Sequence, residues 1–434
     1  MKYLVAGKCP PIQGGVSRET WAACENLAIA GNQVSLVTNA SSVEPNFRQN
    51  LTPNDLHRVF GEKGQGSVKV IDIGSINSSG IIPDSSMGLT RMIGALLEEC
   101  EILKPDLLFG YYLEPYGVAI GVVWRMTGIP YVLMHAGSDI GRLRHLPNIG
   151  PTFKLTVEGC TAMLTTQPTS RLANDLSCLG VASSQLHLLG PSCLEKEFYL
   201  ENSPADLLSV DDSESRFPLC NYRADMTELL SELDGNQLTG TVYGVLGKIH
   251  PAKCNLEIVG ALELLLSRGK ELSVLACVGG YNEHLKLWLE KINGTKYLRK
   301  RIRIIPLVAP WRVPDVLNVC DGIFFLEHGF DLEYHSSRLP LEILARRKVM
   351  LLSTSSASTL PFFSFLQSKE NCLLVDEPRD VEALAEACSF VCDEKKRESI
   401  VRNSEQVREI VLKRIGVVNR VSAALLSISH GKIL

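Results

Sequence analysis

Short apolar runs rich in β-branched residues recur at Tyr3–Ala6, Val34–Thr38, Val68–Ile73, Asp106–Phe109, Tyr131–Met134, Ala162–Thr165 and Leu186–Leu189, with amphipathic stretches between them. They are not alternations of apolar and polar positions, so each predicts a strand buried on both faces in a parallel sheet covered by helices. Ser17 is the candidate N-cap of a first helix over Arg18–Ala30, which closes at Gly31. The pattern restarts after residue 239, with strands predicted at Thr241–Leu246, Leu272–Val278, Ile302–Pro306, Gly322–Leu326, Val349–Ser353 and Leu373–Val375. The expected fold is therefore α/β, with two Rossmann-like doubly wound domains facing each other across a cleft.

The same pattern sets the expected boundaries. Residues 1–200 form the first domain and 240–399 the second, while the helical tail from about residue 400 to 434 is expected to pack back across the first. Between the domains, 201–239 holds many acids, serines and prolines and no sustained period. It reads as a linker or insertion with at most one short helix near Met226–Leu233, its acidity that of a solvated loop or, alternatively, of a docking element.

Composition narrows the function classes. At 434 residues, with 45% hydrophobic and 21% charged, the chain is an ordinary globular protein. Its 44 Lys+Arg against 48 Asp+Glu give a net charge of −4, no field for a phosphate backbone, and nucleic acid is excluded as the default partner. The 13 cysteines contain no CxxC pair, which argues against a disulfide framework or thiolate metal site and for a reducing cytoplasm. Cys388 and Cys392, four apart, read as small apolar residues on one buried helix face. The longest apolar stretch, Gly117–Trp124, stops at Arg125, well short of the roughly 20 residues of a membrane span, and Met1–Gly7 is too short for a signal peptide. A soluble or membrane-peripheral protein is expected. The basic cluster Lys296–Arg303 is either a solvated loop or a contact for anionic lipid or an acidic acceptor.

No GxGxxG follows the first strand, and Gly247-Lys248 lacks the upstream glycine and the Ser/Thr of a P-loop, so neither a nicotinamide nor a P-loop fingerprint is present. Four other segments follow predicted strands. Pro10–Val16 opens onto a helix, and Gly14 and Gly15 allow close backbone approach to an anionic ligand, or simply a turn. His135-Ala136-Gly137-Ser138-Asp139 can present an imidazole to a substrate, or hold a satisfied core histidine, with Asp139 binding a ligand or capping the next turn. Lys248 and Lys253, around a Pro-bearing turn, can converge on a pyrophosphate or remain solvated surface lysines. Pro340 places Glu342 in the first turn of a helix, where a carboxylate complements the dipole and can accept ribose hydroxyls; His335 and Arg338 precede it within reach of a phosphate or sugar.

In this order the segments resemble the nucleotide-sugar-dependent glycosyltransferases of the GT-B fold, family 4. Pro11-x-x-Gly14-Gly15-Val16 is similar to the family's first-loop glycines, and His135-x-Gly137-Ser138-Asp139 to its His-Gly-Ser-Asp element. Gly247-Lys248-x4-Lys253 resembles its Gly-Arg-x4-Lys clamp, and Leu341-Glu342-Ile343-Leu344-Ala345 its Leu-Glu-Ala-Met-Ala helix. Lys104-Pro105-Asp106, Gly128-Ile129-Pro130, Gly279-Gly280 and Cys320-Asp321-Gly322 also have counterparts, so the resemblance spans most of the chain outside 201–239.

The resemblance implies transfer of a sugar from a nucleotide diphosphate sugar to a hydroxyl acceptor, whether glycan, lipid-linked or small molecule, with retention of configuration. It implies no cofactor and no metal, in keeping with the lack of an Asp-x-Asp. Lys248 and Lys253 would hold the phosphates and Glu342 the ribose, with Gly14, Gly15, His335, Arg338 and Glu327 also on the donor side. His135, Lys253 and Lys248 would be catalytic, and Ser138 and Asp139 would face the acceptor. Three positions depart from the family: Lys248 replaces an arginine, Tyr334 stands at the first acid of the Glu-x7-Glu pair with Glu333 beside it, and Arg346-Arg347-Lys348 replaces the glycine after the last helix. A catalytically silent GT-B domain that binds a nucleotide sugar or a partner protein, and a nucleotide-sugar epimerase, are the alternatives.

Overall fold

The computed structural model describes residues 1–61, 66–74, 87–166, 170–190, 193–200, 237–329, 337–416 and 418–431. Every predicted apolar run is a strand. The first set is β1 (Lys2–Ala6), β2 (Gln33–Thr38), β3 (Val68–Asp72), β4 (Leu107–Tyr111), β5 (Tyr131–Met134), β6 (Ala162–Thr165) and β7 (Leu186–Leu188). The second is β8 (Thr241–Ile249), β9 (Leu272–Gly280), β10 (Ile302–Ile305), β11 (Gly322–Phe325), β12 (Val349–Ser353) and β13 (Leu373–Val375). The sheets run β3-β2-β1-β4-β5-β6-β7 and β10-β9-β8-β11-β12-β13, parallel throughout, with Val5 opposite both Leu36 and Phe109. In each sheet the strand order reverses beside its first strand, between β1 and β4 and between β8 and β11. Open α/β sheets hold ligands at such a switch point, outside the carboxyl ends of the strands.

The helices of the first domain are α1 (Gly15–Ile29), α2 (Pro53–Phe60), α3 (Met87–Leu103), α4 (Val118–Thr127), α5 (Ser138–Gly141), α6 (Ile149–Val157) and α7 (Ser170–Cys178). With the second sheet lie α8 (Asn255–Ser267), α9 (Asn282–Asn293), α10 (Val313–Val319), α11 (Leu339–Ala345), α12 (Thr354–Ala357), α13 (Val381–Cys392) and α14 (Glu394–Ile415), and α15 (Arg420–Ser429) ends the described chain. Helix α1 begins three residues before the expected start. Gly14, at φ 123°, makes a turn that a side chain disfavours, so the chain enters the helix there and Ser17 is buried within the first turn instead of capping it. Gly31 closes the turn after α1 at φ 83°.

The tail divides between the two cores. Ile400, Val407, Val411 and Ile415 of α14 are buried with the second sheet, whereas Val421, Ala424 and Leu425 of α15 pack with Tyr3, Val5 and Leu27 of the first. Tyr3 Oη and Ser429 Oγ, 2.7 Å apart, fix the return. Conversely, Cys193, Leu194 and Phe198, which follow β7, are buried in the second core. Cys388 is fully buried, and Cys392 Sγ lies 3.3 Å from Tyr243 Oη. In the Arg346-Arg347-Lys348 turn after α11, Arg347 takes φ 55°, a left-handed conformation that costs a side-chain-bearing residue about 1–2 kcal/mol. Most of 201–239, with the short helix expected near Met226–Leu233, lies outside the described residues.

The domains clasp one another beside the cleft. Asn46 Nδ2 donates to the Gly280 carbonyl, Asn50 N–H donates to the Leu307 carbonyl at 2.6 Å, and Trp311 Nε1 donates to Asp55 at 2.6 Å. A Cβ on Gly279 would meet the Asn46 carbonyl oxygen at 2.5 Å, so this apposition requires glycine. Because Leu425 is wholly buried, Leu425→Ala is expected to cost about 2–5 kcal/mol. Leu287→Ala, on an exposed face of α9, should stay within about 0.5 kcal/mol. Chemical denaturation checks both, and equal costs would remove α15 from the first core.

Candidate functional site

The carboxyl ends of the two sheets face each other across a cavity of about 550 Å³. Gly14, Gly15, His135, Lys253, Arg338 and Glu342, expected from separate parts of the sequence, all line it. His335 and Tyr334 lie outside the described residues. Lys248, Glu327, Ser138 and Asp139 are not among the residues that line it.

Lys248 is not in a loop after β8, as the sequence suggests, but within the strand. Both β8 and β9 run three or two residues beyond their expected ends, and Lys248 pairs with Gly279. Its ammonium stands 5.1 Å from the centre of the Phe47 ring, which the first domain contributes. Lys253, in the single turn Pro251–Lys253, makes a 2.8 Å ion pair with Glu327. Two further cations come from the first domain: Lys8, beyond the end of β1 and 4.5 Å over the Tyr112 ring, and Arg142, at the end of α5. Enclosure by the cleft walls, and then the charges of Lys8, Lys253 and Arg142, push the Lys248 ammonium down to about 8. The Lys248 side chain is nonetheless exposed, so solvent screens this repulsion. Burial lowers Lys8 as well, against the opposing charge of Asp139.

His135 directly follows β5 and is buried. Its Nδ1 accepts the Gly137 N–H at 3.2 Å, which assigns the ring proton to Nε2, 3.0 Å from Thr165 Oγ1. Burial lowers its pKa, only partly opposed by Asp139, so the imidazole is neutral at physiological pH. Asp139 accepts N–H groups from Leu113 at 3.0 Å, Ala136 at 3.1 Å and Ile140 at 3.1 Å. It thereby ties the loops after β4 and β5 together. Ser138 Oγ lies 2.8 Å from Tyr112 Oη, and Tyr112 has φ 81°, a strained backbone of the kind that gathers at functional sites.

Glu342, in the first turn of α11, is buried and paired. Arg18 of α1 bridges it to Glu195, whose two carboxylate oxygens receive Arg18 Nε and Nη2. Arg338 pairs with Glu19, meets Glu195 at 3.2 Å and donates to the Cys193 carbonyl at 2.8 Å. Against burial, which opposes its charge, Glu195 and Glu342 hold the Arg18 guanidinium firmly protonated. Sequence reasoning missed Arg18, Glu19, Glu195, Lys8 and Arg142. The available signal was on α1, where Ser17, Arg18 and Glu19 are polar residues in consecutive buried positions.

No protein-family model and no curated protein matches the chain. Among solved structures it is similar over almost its whole length to Anabaena HepE in complex with UDP-glucose, with TM-score 0.60 and 14% identity over 99% of this chain and 100% of that one. Sucrose-phosphate synthase from Thermosynechococcus elongatus matches with TM-score 0.59 and 14% identity over 99% and 98%. The UDP-forming trehalose-phosphate synthase of Burkholderia xenovorans, in complex with glucose-6-phosphate, matches with TM-score 0.60 and 12% identity over 99% and 100%. This chain has the GT-B fold.

In GT-B terms the cavity is the interdomain cleft, with α1 entering it from the first domain and α11 from the second. Among the described residues no group of three or more His, Cys, Asp or Glu converges to hold a metal ion, and no helix is long and apolar enough to cross a membrane. In the basic cluster, Glu263 accepts the N–H groups of Lys296 at 2.9 Å and Leu298 at 2.8 Å, forming a capped loop with Lys296 exposed. Lys248 carries its charge below about pH 8 and loses it above. Pyrophosphate affinity is therefore expected to fall between about pH 7 and about pH 9, and Lys248→Arg to flatten that fall, because guanidinium stays charged. Calorimetric titration at the two pH values checks this; equal slopes in both proteins would remove Lys248 from the anion site.

Proposed function

We propose that the protein is a glycosyltransferase that moves a sugar from a nucleotide diphosphate sugar to an acceptor hydroxyl in the cytoplasm, with retention of configuration and without a metal. The observation that carries this reading is the gathering of Lys8, Arg142, Lys248 and Lys253 where the two switch points face each other, with Glu327 the only carboxylate ion-paired to them among the described residues. A cleft with surplus positive charge suits a diphosphate, and suits it better as the glycosidic bond breaks and the leaving oxygen gains charge. UDP and UDP-glucose in HepE support a nucleotide-sugar donor.

Lys253 is placed to exchange Glu327 for phosphate oxygens, and Lys248 to meet the same diphosphate from β8. The amino end of α1, where Gly14, Gly15 and Val16 line the cavity, adds the N–H groups of a helix start. Together these neutralise the leaving group in the role a divalent cation fills elsewhere. The sugar becomes oxocarbenium-like as the bond to the diphosphate lengthens. His135, neutral and fixed by Gly137, can hold a sugar hydroxyl by turning its Nε2–H from Thr165 Oγ1 to the ligand, without placing a positive charge beside that centre. Arg18 occupies Glu342 Oε1, so a ribose hydroxyl meets this carboxylate through Oε2 or by displacing the guanidinium, and the pairing seen here also favours a second reading, a silent domain that binds a nucleotide sugar without transfer.

A panel of UDP-, GDP- and ADP-sugars is expected to show transfer or slow donor hydrolysis, with Lys253→Ala reducing it on the order of 100-fold. Glu342→Gln, which keeps side-chain shape and leaves Arg18 its Glu195 partner, should raise KM for the donor. Unchanged turnover in both variants would overturn the site. Nucleotide binding without transfer across an acceptor screen would select the silent domain, and an epimer still attached to its nucleotide would select an epimerase.

A further inference from the structure

Two carboxamides on the first domain's side of the cavity carry acceptor oxygens that the fold does not engage. Gln13 and Gln49 both line the cavity, and the Oε1 atom of each is buried without a hydrogen-bond partner among the described residues. Gln49 is only 6% exposed. Backbone contacts fix their placement. Ile12 pairs with Arg48 in an antiparallel bridge, the Gln13 N–H donates to the Phe47 carbonyl at 2.9 Å, and the Gln49 N–H donates to the Pro11 carbonyl at 2.7 Å. Side chains alternate across such a ladder, so Gln13 and Gln49, each one position from the Ile12–Arg48 pair, turn to the same face. A buried polar atom without a partner costs stability, and two of them on one cavity wall call for a ligand that supplies the donors.

The neighbouring wall identifies the chemistry of that ligand. Asn50 bridges Val308 and donates its N–H to the Leu307 carbonyl, so the strip that carries both carboxamides lies against the chain just beyond β10. Here the second domain lines the cavity with Cys277, Leu307, Val308, Pro310 and Val313, none of them charged. A phosphate requires cations, which stand instead at Lys248 and Lys253, and a sugar has hydroxyls on every side, which apolar walls cannot satisfy. A nucleobase has apolar faces and an edge of hydrogen-bonding groups, the complement of an apolar slot with carboxamides beside it. Because β9 separates β8 from β10, Lys248 and the Val308 segment are about 10 Å apart across the sheet, room for a ribose between diphosphate and base.

We propose that Gln13 and Gln49 read the edge of the donor's nucleobase, so that base selection is shared between the two domains. This rests on the nucleotide-sugar reading of the cleft and adds to it a role for the first domain in choosing the donor. Each Oε1 accepts an N–H of the base, and the adjoining Nε2 can donate to a neighbouring carbonyl or ring nitrogen. The base is held from both sides only when the domains stand as the clasp of Asn50 on Leu307 places them.

The test uses the full chain and its variants Gln13→Ala, Gln49→Ala and Lys253→Ala, with calorimetry of UDP, GDP, ADP and, as a probe that has the diphosphate but no base, inorganic pyrophosphate. One nucleotide is expected to bind more tightly than the other two. Gln49→Ala should weaken it about tenfold and Gln13→Ala about threefold, narrowing its lead over the others, while both leave pyrophosphate affinity within about twofold. Lys253→Ala should weaken nucleotide and pyrophosphate alike. Retained pyrophosphate binding shows that a variant folds, and Gln13→Leu and Gln49→Leu, which keep the bulk, repeat the measurement where an alanine variant does not. Equal loss of pyrophosphate and nucleotide in the glutamine variants assigns the carboxamides to the phosphates, and unchanged nucleotide affinity and discrimination put the base elsewhere; either result overturns the proposal and leaves the glycosyltransferase reading standing. If the unaltered chain binds pyrophosphate but no nucleotide, the donor reading falls and the proposal falls with it.

Discussion

The ion network joining Arg18 and Arg338 to Glu19, Glu195 and Glu342 sets the relation of the two domains, and the cleft follows from that relation. Arg18 and Glu19 belong to the first helix of the first domain, Glu195 to the connection between the domains, and Arg338 and Glu342 to the entry of α11 in the second. Charges withdrawn from water are costly, and the cost is recovered only where partners and hydrogen bonds meet them closely. Here the Arg18 guanidinium meets two carboxylates and stacks 5.3 Å from the Phe198 ring. A rotation of one domain against the other would break several charged contacts together, so the network favours a discrete arrangement over a continuum of hinge angles. The clasp of Asn46, Asn50 and Asp55 on Gly280, Leu307 and Trp311 makes a second line of contact, and the cavity lies between two lines.

The cations beside that cavity obey the opposite rule. In the network each charge has a counter-charge; at the facing switch points Lys8, Arg142 and Lys248 make no ion pair among the described residues, and burial together with their mutual repulsion weakens the Lys248 ammonium's hold on its proton. Such an arrangement lowers the stability of the empty protein and raises its affinity for anions, and surplus charge of this kind gathers where a ligand completes it. The contrast between a satisfied buried network and an unsatisfied open cluster, both in one cleft, separates the groups that hold the fold from those available to chemistry.

Much of the architecture was legible because parallel strands buried on both faces are written as continuous apolar runs, and this chain places one at each of its strands. Boundaries were less legible. Lys248 reads as a loop residue because Gly247 interrupts the apolar run, yet β9 continues opposite it and supplies ladder partners as far as Gly280. The start of α1 was misread because the conformation at Gly14, rather than the Ser17 hydroxyl, decides where the helix begins. At the site, Gly14, Gly15, His135, Lys253, Arg338 and Glu342 were found by spacing from strand ends, a local property, and they do converge. Lys8, Arg142, Arg18 and Glu195 lie far apart in sequence, and only the apposition of two sheets brings them to one cleft.

That apposition also explains how Glu342 can be both bonded and available. In the network the acids outnumber the arginines by one, and one carboxylate oxygen of Glu19 is buried without a hydrogen-bond partner. If Glu342 withdraws, Arg18 keeps both oxygens of Glu195, and Arg338 keeps Glu19, Glu195 and the Cys193 carbonyl. No guanidinium is left bare, whereas withdrawing Glu195 would remove a partner from both arginines at once, leaving Arg18 with Glu342 alone. The acid that can be spared is thus Glu342, which with Glu19 lines the cavity and stands at the first turn of α11, where a ligand hydroxyl can replace the guanidinium as its hydrogen-bond donor. A network with one carboxylate more than it needs can yield that carboxylate to a ligand and still hold the two domains together.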